Sequence, residues 1–187
     1  MEKARCKWAG NDPLYMEYHD TEWGVPIYDD ESLFEFLILE TFQAGLSWIT
    51  ILRKRENFRE ALDNFEYKKI AKYDSKKFHE LFQNAGIIRN KLKIKATISN
   101  AIAFLSIQQE FGSFSKYIWG FIDGKPINNS CKINSEVPAN TELSDVISKD
   151  LKKRGFKFVG STVIYAFMQA TGMINDHTTD CFRYDQV

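Results

Sequence analysis

The chain contains few of the residues that interrupt helices or crosslink a fold. Its 187 residues include 10 glycines, 4 prolines and 3 cysteines. No internal repeat is visible, and strand-like alternation of apolar and polar residues is rare, which argues against repeat and sheet architectures. An odd number of cysteines in a chain without an export signal argues against a disulfide framework.

Long apolar runs and net charge are also missing. No run approaches the length needed to span a bilayer, and the first residues, MEKARCKW, contain no secretory apolar segment. We therefore expect a cytoplasmic protein that binds no membrane. The 25 Lys and Arg residues balance 25 Asp and Glu residues, so any binding to nucleic acid must depend on local basic patches.

The apolar periodicity is helical over most of the chain. It predicts helices at about 30–44, 48–62, 74–86, 89–110, 114–121, 144–154 and 161–172. The polar stretch DGKPINNSCKINSEVPAN is predicted to be an extended loop, in which Cys131 is an unpaired thiol. The sequence thus predicts an all-α fold in a single domain, residues 1–187, with its helical core at about 30–172.

Cysteine and histidine are concentrated near the two ends of the chain. Cys6 and His19 lie near one end, and His177 and Cys181 near the other. Two thiolates and two imidazoles suit a closed tetrahedral zinc site, which would join the terminal segments across the fold. Only His177-x3-Cys181 has a familiar ligand spacing, so the spacing alone leaves open that the four residues never meet.

Glu40 is a carboxylate on the apolar face of a predicted helix. In helical projection it lies between Phe36 and Leu37. Such a carboxylate is costly unless it is paired, hydrogen-bonded or protonated. Gln43 is its polar neighbour, and Trp48 follows shortly. Two interpretations remain open: an acid in a binding pocket, or a structural acid that caps a helix or pairs with an arginine.

Aromatic residues are interleaved with the first cysteine and histidine. They are Trp8, Tyr15, Tyr18 and Trp23. Rings held beside a metal could stack on a planar base, a contact worth about 1–3 kcal/mol for each ring. The alternative is that they fill the core, as most aromatic residues do.

The stretch LKKRGFKFVGSTVIYAFMQATG predicts a helix, a tight turn and a second helix. Gly155 and Gly160 permit a sharp turn and a close approach to a ligand. The second helix begins near Ser161 with unpaired N–H groups that favour an anion. Flanking basic residues are Lys152, Lys153, Arg154 and Lys157. This arrangement suits a grip on a DNA phosphate, although an ordinary αα-hairpin with a solvated basic face is the alternative.

Several segments together carry a family resemblance. They are CKW, DPLYMEYHDTEWGVP, LFEFLILETFQAGLSWITILRKRENFREA, NAGIIRN and LKKRGFKFVGSTVIYAFMQATGMINDH, followed by Cys181. In them the chain resembles the 3-methyladenine DNA glycosylase I family of bacterial base-excision repair. The resemblance implies the helix-hairpin-helix glycosylase fold. It also implies a structural zinc ion, bound by Cys6, His19, His177 and Cys181, that joins terminal segments at about 1–25 and 173–187.

The resemblance further implies a monofunctional glycosylase that acts on alkylated double-stranded DNA. A monomer suffices for this chemistry and is expected. Such an enzyme hydrolyses the N-glycosidic bond of 3-methyladenine, releases the free base and leaves an abasic site, without lyase activity. The target base must leave the stack, at a cost of a few kcal/mol. Glu40 is the implied catalytic residue, which hydrogen-bonds the base edge and favours its cationic form. The implied base-binding residues are Trp8, Tyr15, Tyr18, Gln43 and Trp48.

Two further segments are expected to contact DNA. Leu46, on the turn with Gly45, is expected to wedge into the gap left by the flipped base. The hairpin residues expected at the phosphates are Lys153, Arg154, Gly155, Lys157, Gly160 and Ser161. Many helix-hairpin-helix glycosylases place an aspartate shortly after the hairpin. Here residues 161–172 contain none and Asp176 lies beyond the helix, so Glu40 is expected to be the remaining candidate acid.

Two other functions compete with this one. One is a DNA-binding module without catalysis, in which zinc joins the two ends of the chain. Such a module would keep the hairpin and the metal, but it would need neither Glu40 on an apolar face nor the aromatic residues near the N-terminus. Hydrolytic chemistry at the zinc ion is disfavoured, because four protein ligands leave no position open for water.

Overall fold

A computed structural model describes residues 3–187 and is mostly helical. The α-helices are α1 Pro13–Thr21, α2 Asp30–Gln43, α3 Trp48–Leu52, α4 Arg55–Ala61, α5 Tyr67–Ile70, α6 Ser75–Gln83, α7 Lys91–Phe111, α8 Phe114–Trp119, α9 Glu142–Lys153 and α10 Ser161–Ala170. Short 3-10 turns lie at Lys7–Ala9, Asp63–Phe65, Gly120–Ile122 and Asn134–Glu136. Residues 1 and 2, with which the predicted terminal segment begins, lie outside the described residues. The predicted helical class is confirmed.

Two very short strands lie beside the helices. β1 (Ile127–Asn128) and β2 (Ile174–Asn175) pair in parallel, and Ile127 is opposite Ile174. The pairing ties the loop before α9 to the chain beyond α10, which the sequence did not indicate. Within residues 3–187, no helix is both long enough and apolar enough to cross a membrane.

The helix predicted at 48–62 is divided into α3 and α4. Tertiary contacts hold the residues between them: Arg53 pairs with Asp12, and Lys54 Nζ donates to the carbonyl oxygens of Ala85 and Gly86. These contacts join the break to α1 and to the segment before α7. Local propensity alone could not reveal them.

Two helices were not predicted, and a third begins earlier than predicted. One of the unpredicted helices is the short α5 (Tyr67–Ile70). α1 was not predicted, although Asp12 accepts hydrogen bonds from the first-turn N–H groups and Pro13 occupies the first helical position, both common start signals. α9 begins earlier than Ser144, because Thr141 is its N-cap and Ser144 completes a capping box.

α2 is the central helix, and its buried residues run from Leu33 to Phe42. It packs against α3, α7, α8 and α10, so it is enclosed on several sides and carries apolar residues almost all round. Glu40 therefore lies within the packed interior rather than on a solvated face.

The chain between α1 and α2 packs tightly on the end of α10. Gly172 has φ +68°, and a Cβ there would lie 2.4 Å from the backbone nitrogen of Pro26. Ile27 N–H donates to Thr171 O at 3.1 Å. Only glycine satisfies both the backbone conformation and the close approach. This contact brings the N-terminal segment beside the C-terminal one.

Candidate functional site

A cavity of about 250 Å³ lies between the N-terminal segment, α2, α3 and α10. Its lining residues are Trp8, Tyr15, Tyr18, Trp23, Glu40, Gln43, Trp48, Asn134, Val137, Ala166, Gln169 and Asp176. The structure thus brings the expected catalytic residue together with all five expected base-binding residues. Drug-sized ligands usually occupy about 300–1,000 Å³, so this cavity suits a smaller molecule.

Glu40 is an unpaired acid in the wall of this cavity. Its side chain is buried, and its Oε2 accepts no hydrogen bond from any residue in 3–187. Burial raises the pKa of Glu40 from its ordinary value of 4.5 to about 8, because the carboxylate loses its hydration. No arginine within the described residues pairs with it, so the arginine-paired structural acid considered from the sequence is wrong.

Aromatic rings form the walls around this acid. The centroids of Trp8 and Tyr15 are 5.0 Å apart, and those of Tyr18 and Trp48 are 5.4 Å apart. Burial, and next the charge of Glu40, raise the pKa of Tyr15 and of Tyr18, so both hydroxyls remain neutral donors. The buried Trp48 Nε1 has no acceptor among residues 3–187. A planar molecule with polar groups on its edge would satisfy both unpartnered groups.

Asp176, which was set aside in the sequence because it lies beyond the end of α10, also lies in the cavity wall. It is buried, and its Oδ2 accepts hydrogen bonds from Tyr165 Oη at 2.7 Å and Gln169 Nε2 at 2.8 Å. Its Oδ1 accepts from Asn129 Nδ2 at 2.8 Å. Strand β2 returns the chain to the cavity after α10 ends. The position of Asp176 beyond the helix end therefore did not exclude it from the cavity.

Gln169 is a second cavity residue that the sequence argument missed. Because a carboxylate only accepts, the amide nitrogen of Gln169 faces Asp176 and its carbonyl oxygen faces away. Cys131, expected to be an unpaired thiol, is buried and forms no disulfide. Its Sγ lies 3.9 Å from Asp176 Oδ1. Both residues are brought to the site by packing that local sequence does not encode.

The four cysteine and histidine residues converge as a buried cluster. Their ligand atoms all lie within 4.8 Å of one another. Cys181 Sγ is 3.4 Å from His19 Nε2 and 3.5 Å from His177 Nδ1, and Cys6 Sγ is 3.5 Å from His177 Nδ1. A tetrahedral zinc ion with ordinary bond lengths separates its sulfur and nitrogen ligands by about 3.6 Å. The donor set and its spacing therefore fit zinc.

The second nitrogen of each imidazole faces a hydrogen-bond acceptor. His19 Nδ1 lies 2.8 Å from Asp20 Oδ1, and His177 Nε2 lies 3.1 Å from Trp23 O. Arg5 hydrogen-bonds Asp20 and is the main reason that the pKa of Asp20 falls to about 2. These partners favour the proton on the outer nitrogens, so the lone pairs of the inner nitrogens face the cluster, where His19 Nε2 also accepts from Cys6 N–H at 3.3 Å.

The metal cluster lies directly behind the cavity. The ring of Trp8 is 5.2 Å from that of His19, and the ring of Trp23 is 4.6 Å from that of His177. Asp176 immediately precedes His177. Four buried protein ligands would fill a tetrahedral site, so the cluster suits a structural ion.

A side chain of α7 hydrogen-bonds the backbone of the hairpin between α9 and α10. Asn100 of α7 accepts a hydrogen bond from Lys157 N–H at 2.8 Å and donates to Lys157 O at 3.1 Å. Gly155 has φ +98°, a conformation that favours glycine. Gly160 is the N-cap of α10 and provides no side-chain cap, which leaves the first N–H groups of α10 open to an anion.

The charged residues of this hairpin differ in their availability. Lys153 and Lys157 are exposed. Arg154 forms ion pairs with Glu110 at 2.7 Å and Asp150 at 2.6 Å, and these pairs raise its pKa. Its guanidinium also lies over the rings of Phe111 and Tyr117. The hydroxyl of Ser161 is 2.7 Å from that of Ser144. The lysines are therefore the cations most readily offered to a ligand.

The turn after α2 directly follows Gln43, a residue of the cavity wall. Gly45 has φ +83°, and the side chain of Leu46 is 41% exposed. Leu46 N–H donates to the carbonyl oxygen of Gln43, a cavity residue, at 2.6 Å. An exposed apolar side chain thus adjoins the cavity.

The chain is similar over nearly its full length to characterised enzymes. A family model described as methyladenine glycosylase matches residues 8–184. The DNA-3-methyladenine glycosylase 1 of Escherichia coli (strain K12) is 49% identical over 180 residues, which are 96% of each chain.

Solved structures agree with this similarity. A crystal structure of 3-methyladenine DNA glycosylase I has a TM-score of 0.93 and 50% identity, with 96% of this chain and 98% of that chain covered. A variant of such an enzyme, crystallised in complex with 3-methyladenine, has a TM-score of 0.93 and 37% identity, with 95% and 96% covered.

Proposed function

Because the chain belongs to the methyladenine glycosylase family, we propose that it excises 3-methyladenine from alkylated double-stranded DNA. It hydrolyses the N-glycosidic bond, releases the free base and leaves an abasic site, with no lyase step. The protein acts as a monomer, a single helix-hairpin-helix glycosylase domain. The observation that carries the proposal is the buried acid without a partner, Glu40, in a slot of aromatic rings.

The first step is capture of a flipped base. Methylation at N3 gives the adenine in DNA a positive charge. Trp8, Tyr15 and Trp48 provide flat faces for the ring, while Tyr18 and Gln43 hydrogen-bond its edge. Stacking on each ring is worth about 1–3 kcal/mol, which is comparable with the few kcal/mol needed to unstack the base.

Glu40 supplies the selectivity for a cationic base. Burial holds the acid neutral near pH 7 while the cavity contains no cation. A positive purine stabilises the carboxylate form, so an ion pair forms inside a region of low dielectric. Neutral adenine offers no such compensation, and an undamaged base therefore binds weakly. This reasoning is why Glu40 is assigned as the catalytic residue.

The chemical step then demands little from the protein. Water adds to C1′ as the C1′–N9 bond breaks, and the electron pair of that bond neutralises the departing base. One water proton is released to solvent. The cavity lining contains no lysine among residues 3–187, so the proposed route includes no Schiff base and no strand cleavage.

The DNA backbone is held at the hairpin and the duplex gap is filled by the turn. Lys153, Lys157 and the open N–H groups at the start of α10 bind phosphate, while the small residues Gly155 and Gly160 permit close approach. Arg154 contributes only after leaving its ion pair with Glu110. Leu46 wedges into the gap vacated by the base.

Zinc has a structural role in this proposal. Bound by Cys6, His19, His177 and Cys181, it crosslinks the terminal segments at about 1–25 and 173–187. The crosslink holds the rings of Trp8 and Trp23 in the wall of the cavity.

The test is incubation with methylated DNA, followed by chromatographic identification of the released base. Wild type is expected to release 3-methyladenine and to leave alkali-labile sites without direct strand breaks. Glu40→Ala should bind DNA but release almost no base, whereas Glu31→Ala, an exposed acid on the same helix, should behave as wild type. Normal release by a folded Glu40→Ala variant would refute the assigned pocket. A protein that binds DNA and releases nothing would be the non-catalytic DNA-binding module.

A further inference from the structure

Lys93 is a buried lysine whose ammonium group lies at the end of the helix that carries Glu40. It belongs to the first turn of α7 and is only 5% exposed. Its Nζ donates to Phe42 O at 2.8 Å and to Ala44 O at 2.6 Å. Within residues 3–187 it forms no ion pair with a carboxylate. Its ammonium group therefore hydrogen-bonds the backbone at the C-terminal end of α2.

A buried ammonium is costly, and burial lowers the pKa of Lys93. Carbonyl oxygens at the negative end of a helix dipole offset that cost. The backbone leaves the helix at Ala44 and turns at Gly45, so the carbonyls of Phe42 and Ala44 receive no donors from a continuing helix. Lys93 provides both.

Few other hydrogen bonds among residues 3–187 hold the turn in place. A Cβ on Gly45 would meet no heavy atom within 4 Å, and the side chain of Leu46 is exposed. The turn also has a bond from Leu46 N–H to Gln43 O, a bond from Thr50 N–H to Ser47 O, and a 2.8 Å contact between the hydroxyls of Ser47 and Thr50. The two bonds from Lys93 are thus a main restraint on the position of Leu46.

We propose that Lys93 is a positioning residue, which fixes the turn at residues 44–47 so that Leu46 is preorganised to enter the duplex. The inference rests on the proposed function, because it assumes that Leu46 is the wedge. Preorganisation raises affinity by reducing the ordering that DNA binding would otherwise require. Lys93 does not line the cavity, so free-base binding is expected to stay unchanged as long as α2 keeps Gln43 in place.

A direct contact between Lys93 and phosphate is the competing explanation for any effect on DNA binding. The two explanations predict different salt dependence, because each phosphate contact contributes about one unit to the slope of log K against log salt. A buried lysine that acts through the turn leaves the slope unchanged. Lys91, two positions earlier on α7, is exposed and serves as the matched control.

The experiment compares Lys93→Met with Lys91→Met. Affinities are measured for a duplex that contains a non-cleavable abasic analogue, at several salt concentrations, and for free 3-methyladenine. Lys93→Met is expected to bind the duplex about tenfold more weakly, the effect of one good hydrogen bond, with the wild-type salt slope and free-base affinity. Equal losses for duplex and free base, or a shallower slope than that of wild type, would overturn the proposal.

A double-mutant cycle with Leu46→Ala locates the effect. In the Leu46→Ala background, Lys93→Met should cause no further loss of duplex affinity, whereas a full additional loss would overturn the role assigned to Lys93. If Leu46→Ala alone has no effect, the wedge fails and Lys93 loses this role. Base release by wild type, assayed in parallel, shows separately whether the proposed enzymatic function stands.

Hydrogen exchange provides a readout that does not need DNA. The Leu46 amide should exchange faster in Lys93→Met, while the amides of α2 before Glu40 stay protected. Unchanged exchange at Leu46 would contradict the proposal. If Lys93→Met does not fold, Lys93→Gln keeps an N–H donor group on a shorter, uncharged side chain, and the same assays should then give intermediate values. Wild-type values for Lys93→Gln in both assays would also contradict it.

Discussion

Glu40 allows a prediction about stability that needs no DNA. Its pKa rises from an ordinary 4.5 to about 8 in the folded protein, and the side chain is buried. Each pKa unit corresponds to 1.36 kcal/mol, so ionising Glu40 in the empty cavity costs roughly 5 kcal/mol. The perturbation is Glu40→Gln, which keeps the shape and removes the titration.

The sign follows from the protons bound in each state. Between pH 4.5 and about 8 the folded protein keeps the proton on Glu40 and the unfolded chain has lost it. Folding then takes up a proton, so the contribution of Glu40 to the free energy of unfolding is complete below pH 4.5 and falls as pH rises towards 8. Relative to Glu40→Gln, wild type should lose stability by up to about 1.4 kcal/mol for each pH unit in this range.

The assay is urea unfolding of wild type and Glu40→Gln at pH 5, 6, 7 and 8, with the metal content held equal. Subtracting the two free energies cancels every titrating group that both proteins share, including the Cys and His cluster. A difference that stays flat from pH 5 to 8 would refute the reasoning, because Glu40 would then ionise in the folded state as easily as in water.

Three further predictions follow from the packing and the surface. Cys181→Ser should abolish stoichiometric zinc binding, measured by metal analysis, and should lower both the Tm and the affinity for free 3-methyladenine, because the cluster supports the cavity wall. Gly172→Ala should destabilise the fold by about 3 kcal/mol or more in urea unfolding, because a Cβ there would lie 2.4 Å from the Pro26 nitrogen. The control Gly120→Ala, with open space around its Cβ, should change stability far less. Lys157→Ala should weaken binding to all duplexes equally and reduce the salt slope by about one unit; an unchanged slope would remove Lys157 from the phosphate site.

Much of this architecture follows from local chemistry that a sequence displays. Helical periodicity gave the class of fold, and a carboxylate among apolar residues of α2 correctly marked Glu40 as unusual. The start of α1 is also marked in the sequence, by the N-cap residue Asp12 and by Pro13 at the first helical position. The zinc ligands could be proposed from residue type, but their convergence needed the family resemblance.

Other features depend on contacts between distant segments, which no local pattern encodes. The break between α3 and α4 is stabilised by Asp12 and by carbonyl oxygens near Gly86. Asp176 reaches the cavity because β2 pairs with β1, and strands of two residues carry too little periodicity to be predicted. The ion pair of Arg154 with Glu110 likewise joins separate helices. From the sequence alone, Arg154 therefore looked more available to DNA than it is.

The cavity and the metal cluster form one structural unit. One wall comes from the N-terminal segment, with Trp8 and Tyr18, and another from the segment that carries Asp176. Glu40 and Trp48 come from the helical core between them. The walls therefore surround Glu40 only when the two terminal segments lie together. Bringing them together closes a long loop, and contacts between the two segments must offset the entropy that this closure costs. A metal ion bound by Cys6, His19, His177 and Cys181 would supply this free energy at the point where the rings of Trp8 and Trp23 pack on the two histidines.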